Sequence, residues 1–396
     1  MRPGKTIMSA PRRIALLLDR SLNFVRGVIR GVRTYAAEKP NWVLRDGPPR
    51  LSLIRHVRDW RPHGLIAGLV VPRVARELIR MERPLVDTAF TLPDLGVPAV
   101  DVDHTVVGRM AAEYFLERKF RHFGFFGSER AVYSRMREAA FRDRVAQAGY
   151  TASSCHIEYL ADLTGAALWR KAAQKTRRWL RRLPKPAAIL CSEDAPARYL
   201  ADVCAQMGLR VPEDVALLGA GNDELECTLT RPALSSVAVP SRRVGFEAAA
   251  LLDRMMAGEP WPAEPLLLPP LHVITRHSTD ILAIEDEIVQ AALHYIRVHV
   301  REPMSVGQIA RDIAVSRRLL ERRFRKVLGR SVLDEINRVR VERAKELLTE
   351  TNLPITVVAI EAGFASVRRL DAVFARLTGL SPTSFRRRSR PERTNR

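Results

Sequence analysis

The chain has 396 residues, of which 46% are hydrophobic and 28% charged, and its formal net charge is +21. That length suits two or three domains with cores of their own, and the apolar content excludes a globally disordered chain. The basic excess points to a polyanionic partner and says nothing about the fold.

The first eleven residues form a basic tail with no apolar stretch of signal-peptide length, and no later segment approaches the ~20 apolar residues of a membrane span. A cytoplasmic protein without a membrane partner is expected. From Ile14 onward, short apolar runs alternate with helical patterns. IALLLD (14–19) reads as a buried strand, followed by a helix from Phe24 to Lys39. GLIAGLVV (64–71) reads as a second strand, and RELIRMER begins another helix. Further strands are expected at PLVDTAF (84–90), PAVDVD (98–103), HFGFFG (122–127), AAILCS (187–192) and VALLGA (215–220). Helices fit at 107–119, 135–148, 165–183, 195–208 and 241–257. This alternation predicts an α/β domain of parallel sheets flanked by helices. Asp19, Asp87, Asp103 and Ser192 end strands, the edge at which such sheets bind ligands.

Pro269-Pro270 should stop this domain. Beyond it, Asp286 to Arg301 reads as a helix with Ile288, Ala291, Ala292, Tyr295 and Ile296 on one side. Two helix-turn-helix units follow, at 305–329 and 354–379, making the C-terminal domain all-α. In the first, Ser305 and Ser316 cap two helices; Ile309, Ala310 and Ile313 face inward, as do Leu319, Leu320, Phe324, Val327 and Leu328. A long helix runs from about Val332 to Thr349. In the second unit Gly363-Phe364 makes the turn, Ser366 caps, and Leu370, Val373, Phe374 and Leu377 pack. Arginines occupy the outward positions of both second helices, where side chains reach base edges in the major groove. Residues 281–396 hold about 23 Lys+Arg against 14 Asp+Glu, roughly twice the charge density of the remainder. Double-stranded DNA is therefore the expected partner.

Chemistry on a small molecule finds little support. No GxGxxG, P-loop, GxSxG or HExxH occurs, and Cys155, Cys191, Cys204 and Cys227 form no CxxC or Cys/His pair. No metal site, cofactor or catalytic residue is expected, and the thiols suit a reducing compartment.

Several segments carry resemblances. IALLLDRSLNFVRGVIRGV, DVDHTVVGRMAAEYFLERKFRHFGFFG, RMREAAFRDRV, GLRVPEDVALLGAGNDE and RPALSSV are similar, in order and spacing, to the effector domain of LacI-type repressors, itself related to periplasmic sugar-binding proteins. The resemblance implies a two-lobed periplasmic-binding-protein-like domain over 12–275, with lobe one at 12–107 and 236–265 and lobe two at 108–235. SRRLLERRF, RVERAKELLTETNLPIT, AIEAGF and GLSPTSFRRR resemble the AraC-type DNA-binding domain over 285–388, after a 276–284 linker and before a 389–396 basic tail. It implies Arg317, Arg318 and Arg322 in one groove and Val367, Arg368 and Arg369 in the next, with Arg386 to Arg388 on phosphates or in a tail.

The whole chain looks like the xylose operon regulator family of bacterial transcription factors. That family implies an activator controlled by a small sugar, a pentose by preference, acting as a homodimer with RNA polymerase as a further partner. By resemblance the sugar would touch Asp19, Phe24, Asp103, Arg137, Glu193 and the loop Gly221-Asn222-Asp223. The family's G-x-D pattern is broken here, because Gly221 stands in the place of the aspartate. Losing such a hydrogen-bonded charge costs about 1.5–3 kcal/mol. Two alternatives stay open: a DNA-binding regulator with a degenerate, ligand-free pocket, and a sugar-modifying enzyme.

Overall fold

The computed structural model describes residues 10–158, 166–261, 264–280, 286–350 and 353–389. The basic N-terminal tail up to residue 9, most of the C-terminal tail and residues 281–284 of the expected linker lie outside these. The chain divides into two compact units, Met1–Ala283 and Ile284–Arg396.

The first unit has two lobes. Lobe one opens with β1 (Arg12–Leu17), α1 (Asn23–Ala36), β2 (Trp42–Gly47), α2 (Leu51–Trp60), β3 (Gly64–Ala67), α3 (Pro72–Ile79), β4 (Leu85–Asp87) and β5 (Val100–Val102). The chain then crosses into lobe two: α4 (His104–Glu117), β6 (His122–Gly127), α5 (Val132–Gln147), β7 (Ala152–His156), α6 (Ala166–Arg182), β8 (Ala187–Cys191), α7 (Asp194–Gln206), β9 (Val215–Ala220), α8 (Glu224–Leu229) and β10 (Ser235–Ala238). It returns for α9 (Ser241–Met256) and β11 (Leu266–Leu268), then ends in lobe two with β12 (His272–Ile274). The sheets run β2-β1-β3-β4 and β12-β10-β9-β8-β6-β7, parallel except for the β10–β12 pair, and β11 pairs with β5.

The long buried strands lie where apolar runs stand in the sequence. β6 and β9 have the expected bounds, and β8 lacks only Ser192 of the expected run. The strand at 64–71 is shorter than expected, ending at Ala67, and Val70 and Val71 are exposed. The following helix starts at Pro72, a favoured first position, and ends at Ile79 within RELIRMER. Polar strands give no apolar signal and were not foreseen. β2 is an edge strand with most residues exposed or half-buried. β10 buries Ser235 and Ser236 because their hydroxyls are satisfied: Ser235 Oγ donates to the Arg276 carbonyl, and Ser236 Oγ donates to Asp194. Residues 276–280, expected to begin a linker, belong to this unit. Arg276, Ser278 and Thr279 are buried against β10, and Ser278 Oγ donates to the Leu217 carbonyl at 2.6 Å. β10 and β12 likewise extend lobe two beyond residue 235.

In lobe one, α1 packs on α9 through glycines that let the backbones approach. A Cβ at Gly31 would stand 1.9 Å from the Arg242 carbonyl oxygen, and one at Gly245 1.9 Å from the Val28 carbonyl oxygen. Both obstacles are backbone, so neither swings aside. Gly245→Ala is expected to cost about 1–3 kcal/mol by overpacking. Urea unfolding would report it, and an unchanged midpoint would mean that the helices separate at little cost.

The second unit is all-helical: α10 (Glu287–Val298), α11 (Val306–Asp312), α12 (Arg317–Leu328), α13 (Val332–Glu350), α14 (Ile355–Glu361), α15 (Val367–Thr378) and α16 (Pro382–Ser389). The buried face of α10 is Val289, Ala292, Leu293 and Ile296, one position round from the expected face, and Ala291 is exposed. α13 contacts α14, α15 and α16 of the second helix-turn-helix unit and also α10, which packs on α11 and α12 of the first. Near its start Glu335 is fully buried and held by Arg330 Nε at 2.7 Å and Arg338 Nη2 at 2.8 Å. A buried carboxylate so paired would be costly to strip of either arginine.

Candidate functional site

A cleft of about 320 Å³ in the first unit is lined from both lobes. Lobe one contributes Asp19, Phe24 and Asp101, and lobe two contributes His104, Tyr133, Arg137, Glu193 and Asp194. Arg26 of α1 reaches Asp223 at 3.7 Å, an ion pair from one lobe to the other.

Arg137 is the best-anchored polar group in this wall. Only 5% of it is exposed; Nη1 donates to the Ser192 carbonyl, and Nη2 lies 3.3 Å from His104 Nδ1. His104 Nε2 in turn lies 3.5 Å from Asp101 Oδ2. Burial, then the neighbouring Arg137, holds the His104 imidazole below its ordinary pKa. A neutral ring with its proton on Nε2 accepts from Arg137 and faces Asp101 with a donor, which fixes the guanidinium plane. The Arg137 Nε has no partner among the described residues. Tyr133 OH donates to Glu193 Oε2 at 2.7 Å, and burial raises the Glu193 pKa above the usual range.

Asp194 was missed by sequence reasoning, and nothing in SEDAPA distinguishes it from its neighbour. It is buried and accepts from Ser236 Oγ at 2.5 Å and from the Asp223 amide at 2.7 Å. The two glycines of β9 and its loop make room for it. A Cβ at Gly219 would meet Asp194 Oδ1 at 2.2 Å, and one at Gly221 would meet Oδ2 at 3.2 Å. The space beside Gly221 is thus occupied by a carboxylate from α7. Burial pushes the Asp194 pKa up to about 6. A raised folded-state value means that the penalty for ionising it is absent below about pH 4 and complete above about pH 6. Asp194→Asn should therefore gain stability relative to the wild type as pH rises through that window, by on the order of 2 kcal/mol. Paired urea titrations at pH 4 and pH 7 test this, and a pH-independent difference would rule it out.

Two expected ligands are placed elsewhere. Asp103 is outside the cleft lining; its Oδ1 accepts from the Val106 amide, which caps α4. Asn222 also lies outside it, with φ of 51° and its Oδ1 accepting from Arg276 Nη2 at 2.9 Å. Of the other strand-end groups, Asp19 lines the cleft. Asp87 is buried and accepts from the Leu69 and Ala89 amides, and burial raises its pKa to about 6. The cysteines are buried free thiols; burial pushes Cys155 up to about 11 and Cys204 up to about 12, far from a nucleophile's range.

In the second unit, Ser305, Ser316 and Ser366 each accept from a backbone amide at a helix start. Beneath the exposed faces of α12 and α15, Leu320 and Phe324 of the first helix, and Leu370, Val373 and Phe374 of the second, are buried. Leu377, expected to pack, is 46% exposed. Arg317, Arg318 and Arg322 are exposed on α12, as are Arg368 and Arg369 at the start of α15. Arg317 Nε is 2.9 Å from Glu321 Oε1. Val367 is half-buried and packs on the core beneath α15, so it offers little surface to a groove.

Comparison with known proteins agrees with both halves. Residues 112–279 match the family described as "Periplasmic binding protein-like domain", and residues 309–388 match the "Helix-turn-helix domain". The chain is 30% identical over 382 residues to the "Xylose operon regulatory protein" of Escherichia coli (strain K12), covering 94% of this chain and 96% of that one. The protein of the same name from Haemophilus influenzae is 28% identical, over 94% and 98% of the two chains. A solved structure described as "xylose-binding transcription activator xylR" superposes with a TM-score of 0.72 at 29% identity, over 96% of this chain and 99% of that one. Sharing both units with these relatives in the same order and over nearly its full length, the chain belongs to the xylose operon regulatory protein family of DNA-binding transcriptional regulators.

Proposed function

We propose that the protein is a cytoplasmic, homodimeric activator of a sugar-utilisation operon, switched by a neutral pentose such as D-xylose held in the cleft of the first unit. The observation that carries this is the orientation of Arg137 in the cleft wall, its guanidinium plane fixed by His104 and the Ser192 carbonyl beside Asp101, Glu193 and Asp194. Two facts support a small neutral sugar. The cleft, about 320 Å³, lies at the small end of the roughly 300–1,000 Å³ range of ligand pockets. Asp19, Asp101, Glu193 and Asp194 surround a single arginine, an environment that repels sugar acids and sugar phosphates. In this reading Glu193 and Asp194 supply the acceptors that Gly221 lacks, Phe24 gives a stacking face, and no step of catalysis is involved.

Closure on the sugar would then change the state of the dimer, which needs an affinity difference between states worth about 1–3 kcal/mol. Arg318, Arg322, Arg368 and Arg369 are the base-reading candidates, and RNA polymerase is the partner of the activated complex. At 19 residues, α13 spans about 28 Å, close to the ~34 Å of one DNA turn that separates successive major-groove faces.

The test is a footprint of the protein on its own upstream DNA with D-xylose and a panel of other pentoses and hexoses. Protection altered by one neutral pentose is expected. Protection indifferent to every sugar, with no thermal stabilisation where ligand at 100 times its Kd would give about 2.7 kcal/mol, discards the sugar switch and leaves a ligand-independent regulator.

A further inference from the structure

We infer that α6, on the first unit, is a second DNA-contacting surface that binds the phosphate backbone of duplex DNA without reading sequence. This helix, AALWRKAAQKTRRWLRR, carries seven cations and no acid in 17 residues. Its inward face is Ala172, Thr176 and Leu180, all buried against the lobe-two core. The cations occupy the opposite side. Lys171, Lys175, Arg178 and Arg182, spaced by four, three and four residues, form one exposed stripe. Arg170, Arg177 and Arg181 flank it and, together with Arg178 of the stripe, line a groove against α7, beside Trp169 and Tyr199. Among the described residues no carboxylate forms an ion pair with the stripe; Asp202 lies across the groove, and Arg177 bonds to the Gln206 side chain.

Solubility alone does not call for this pattern. Like charges at i,i+4 destabilise a helix, and a solvated helix face would interleave acids to offset them. Arg181 and Arg182 gain from the helix dipole at its C-terminus, whereas Arg170 and Lys171 sit in the first turns, where it disfavours cations. The arrangement is stabilised when a polyanion supplies the missing charge. The two tryptophans beside the stripe, Trp169 and Trp179, pack on Tyr199 and Phe126, so they do not form the row of free apolar anchors that makes the core of a protein interface. From Lys171 to Arg182 the stripe covers about 16 Å, along which duplex DNA presents a charge roughly every 1.7 Å of its axis. Three to four phosphates can therefore be met at once.

The experiment compares full-length protein with the variant Lys171→Gln, Lys175→Gln, Arg178→Gln, Arg182→Gln. Affinity is measured against salt for the footprinted target and for a long random-sequence duplex. The slope of log K against log salt should flatten by about 3 on both duplexes, at roughly 0.9 for each phosphate no longer neutralised. The base preference at the target and the thermal shift given by sugar should stay as in the wild type. A companion variant, Arg178→Lys with Arg182→Lys, keeps the charge and should keep the slope. An unchanged slope in the first variant overturns the inference and leaves the helix to an acidic protein partner or to solvent. A flattened slope in the charge-conserving companion overturns it too, because geometry and not charge would then be responsible.

Discussion

Arg137→Lys is expected to weaken pentose binding at least tenfold while leaving the first unit folded. The substitution keeps a cation among Asp101, Glu193 and Asp194 but removes the planar fork that donates to the Ser192 carbonyl and meets His104. An ammonium cannot present paired donors in a fixed plane, so two vicinal hydroxyls would lose their common partner. Each charge-assisted hydrogen bond removed is worth about 1.5–3 kcal/mol, or roughly one to two powers of ten in Kd. Arg137→Ala should go further. It leaves the buried carboxylates without their counter-charge, a change that costs about 3–5 kcal/mol where a buried pair is broken, so stability falls together with affinity. Calorimetric titration of both variants with D-xylose, beside their urea midpoints, separates the two effects. Wild-type affinity in Arg137→Lys would mean that the fork does not orient the sugar.

The parts of this molecule written in apolar periodicity were legible before the structure. β6 and β9, and the buried sides of α12 and α15, lie where runs or 3.6-residue spacings stood. The serine caps were legible for the same local reason, since a hydroxyl just before a helical pattern has one obvious partner. Polar residues were harder to place because their partners are remote in sequence. An aspartate at a strand end can face a cleft, as Asp19 does, cap the next helix, as Asp103 does, or bond to neighbouring loop amides, as Asp87 does. Nothing local to those residues chooses among the three. Asp194 is the converse case: its place beside Gly221 depends on two glycines and a serine roughly 25 to 42 residues away, so resemblance and periodicity both passed over it. Gly221 in turn reads as a loss in the sequence and as room for a neighbour's carboxylate in the fold.

On DNA, Arg318→Ala and Arg368→Ala should each relax the preference at particular base pairs, at a cost of roughly 1–3 kcal/mol on the target site. Both side chains are exposed near the starts of their helices, one turn or less from a serine cap, and neither is paired with a carboxylate among the described residues. Arg317 differs, because Glu321 holds its guanidinium; removing Arg317 should cost less and mainly release the glutamate. Val367, half-buried on the core beneath α15, should act on stability before it acts on base preference. Binding to a library of single-base variants of the footprinted site tells these apart. A base reader loses discrimination at one or two positions and keeps its affinity for random sequence. A phosphate anchor weakens every sequence equally and lowers the salt slope by about one. The second pattern at both arginines would move base reading away from the N-terminal ends of α12 and α15. The two helix-turn-helix units would then grip the duplex without choosing among sequences through these side chains. Because loss of the α6 stripe is expected to weaken every sequence equally and to flatten the salt slope by about 3, its signature differs from that of a base reader in kind and from that of a single phosphate anchor in size.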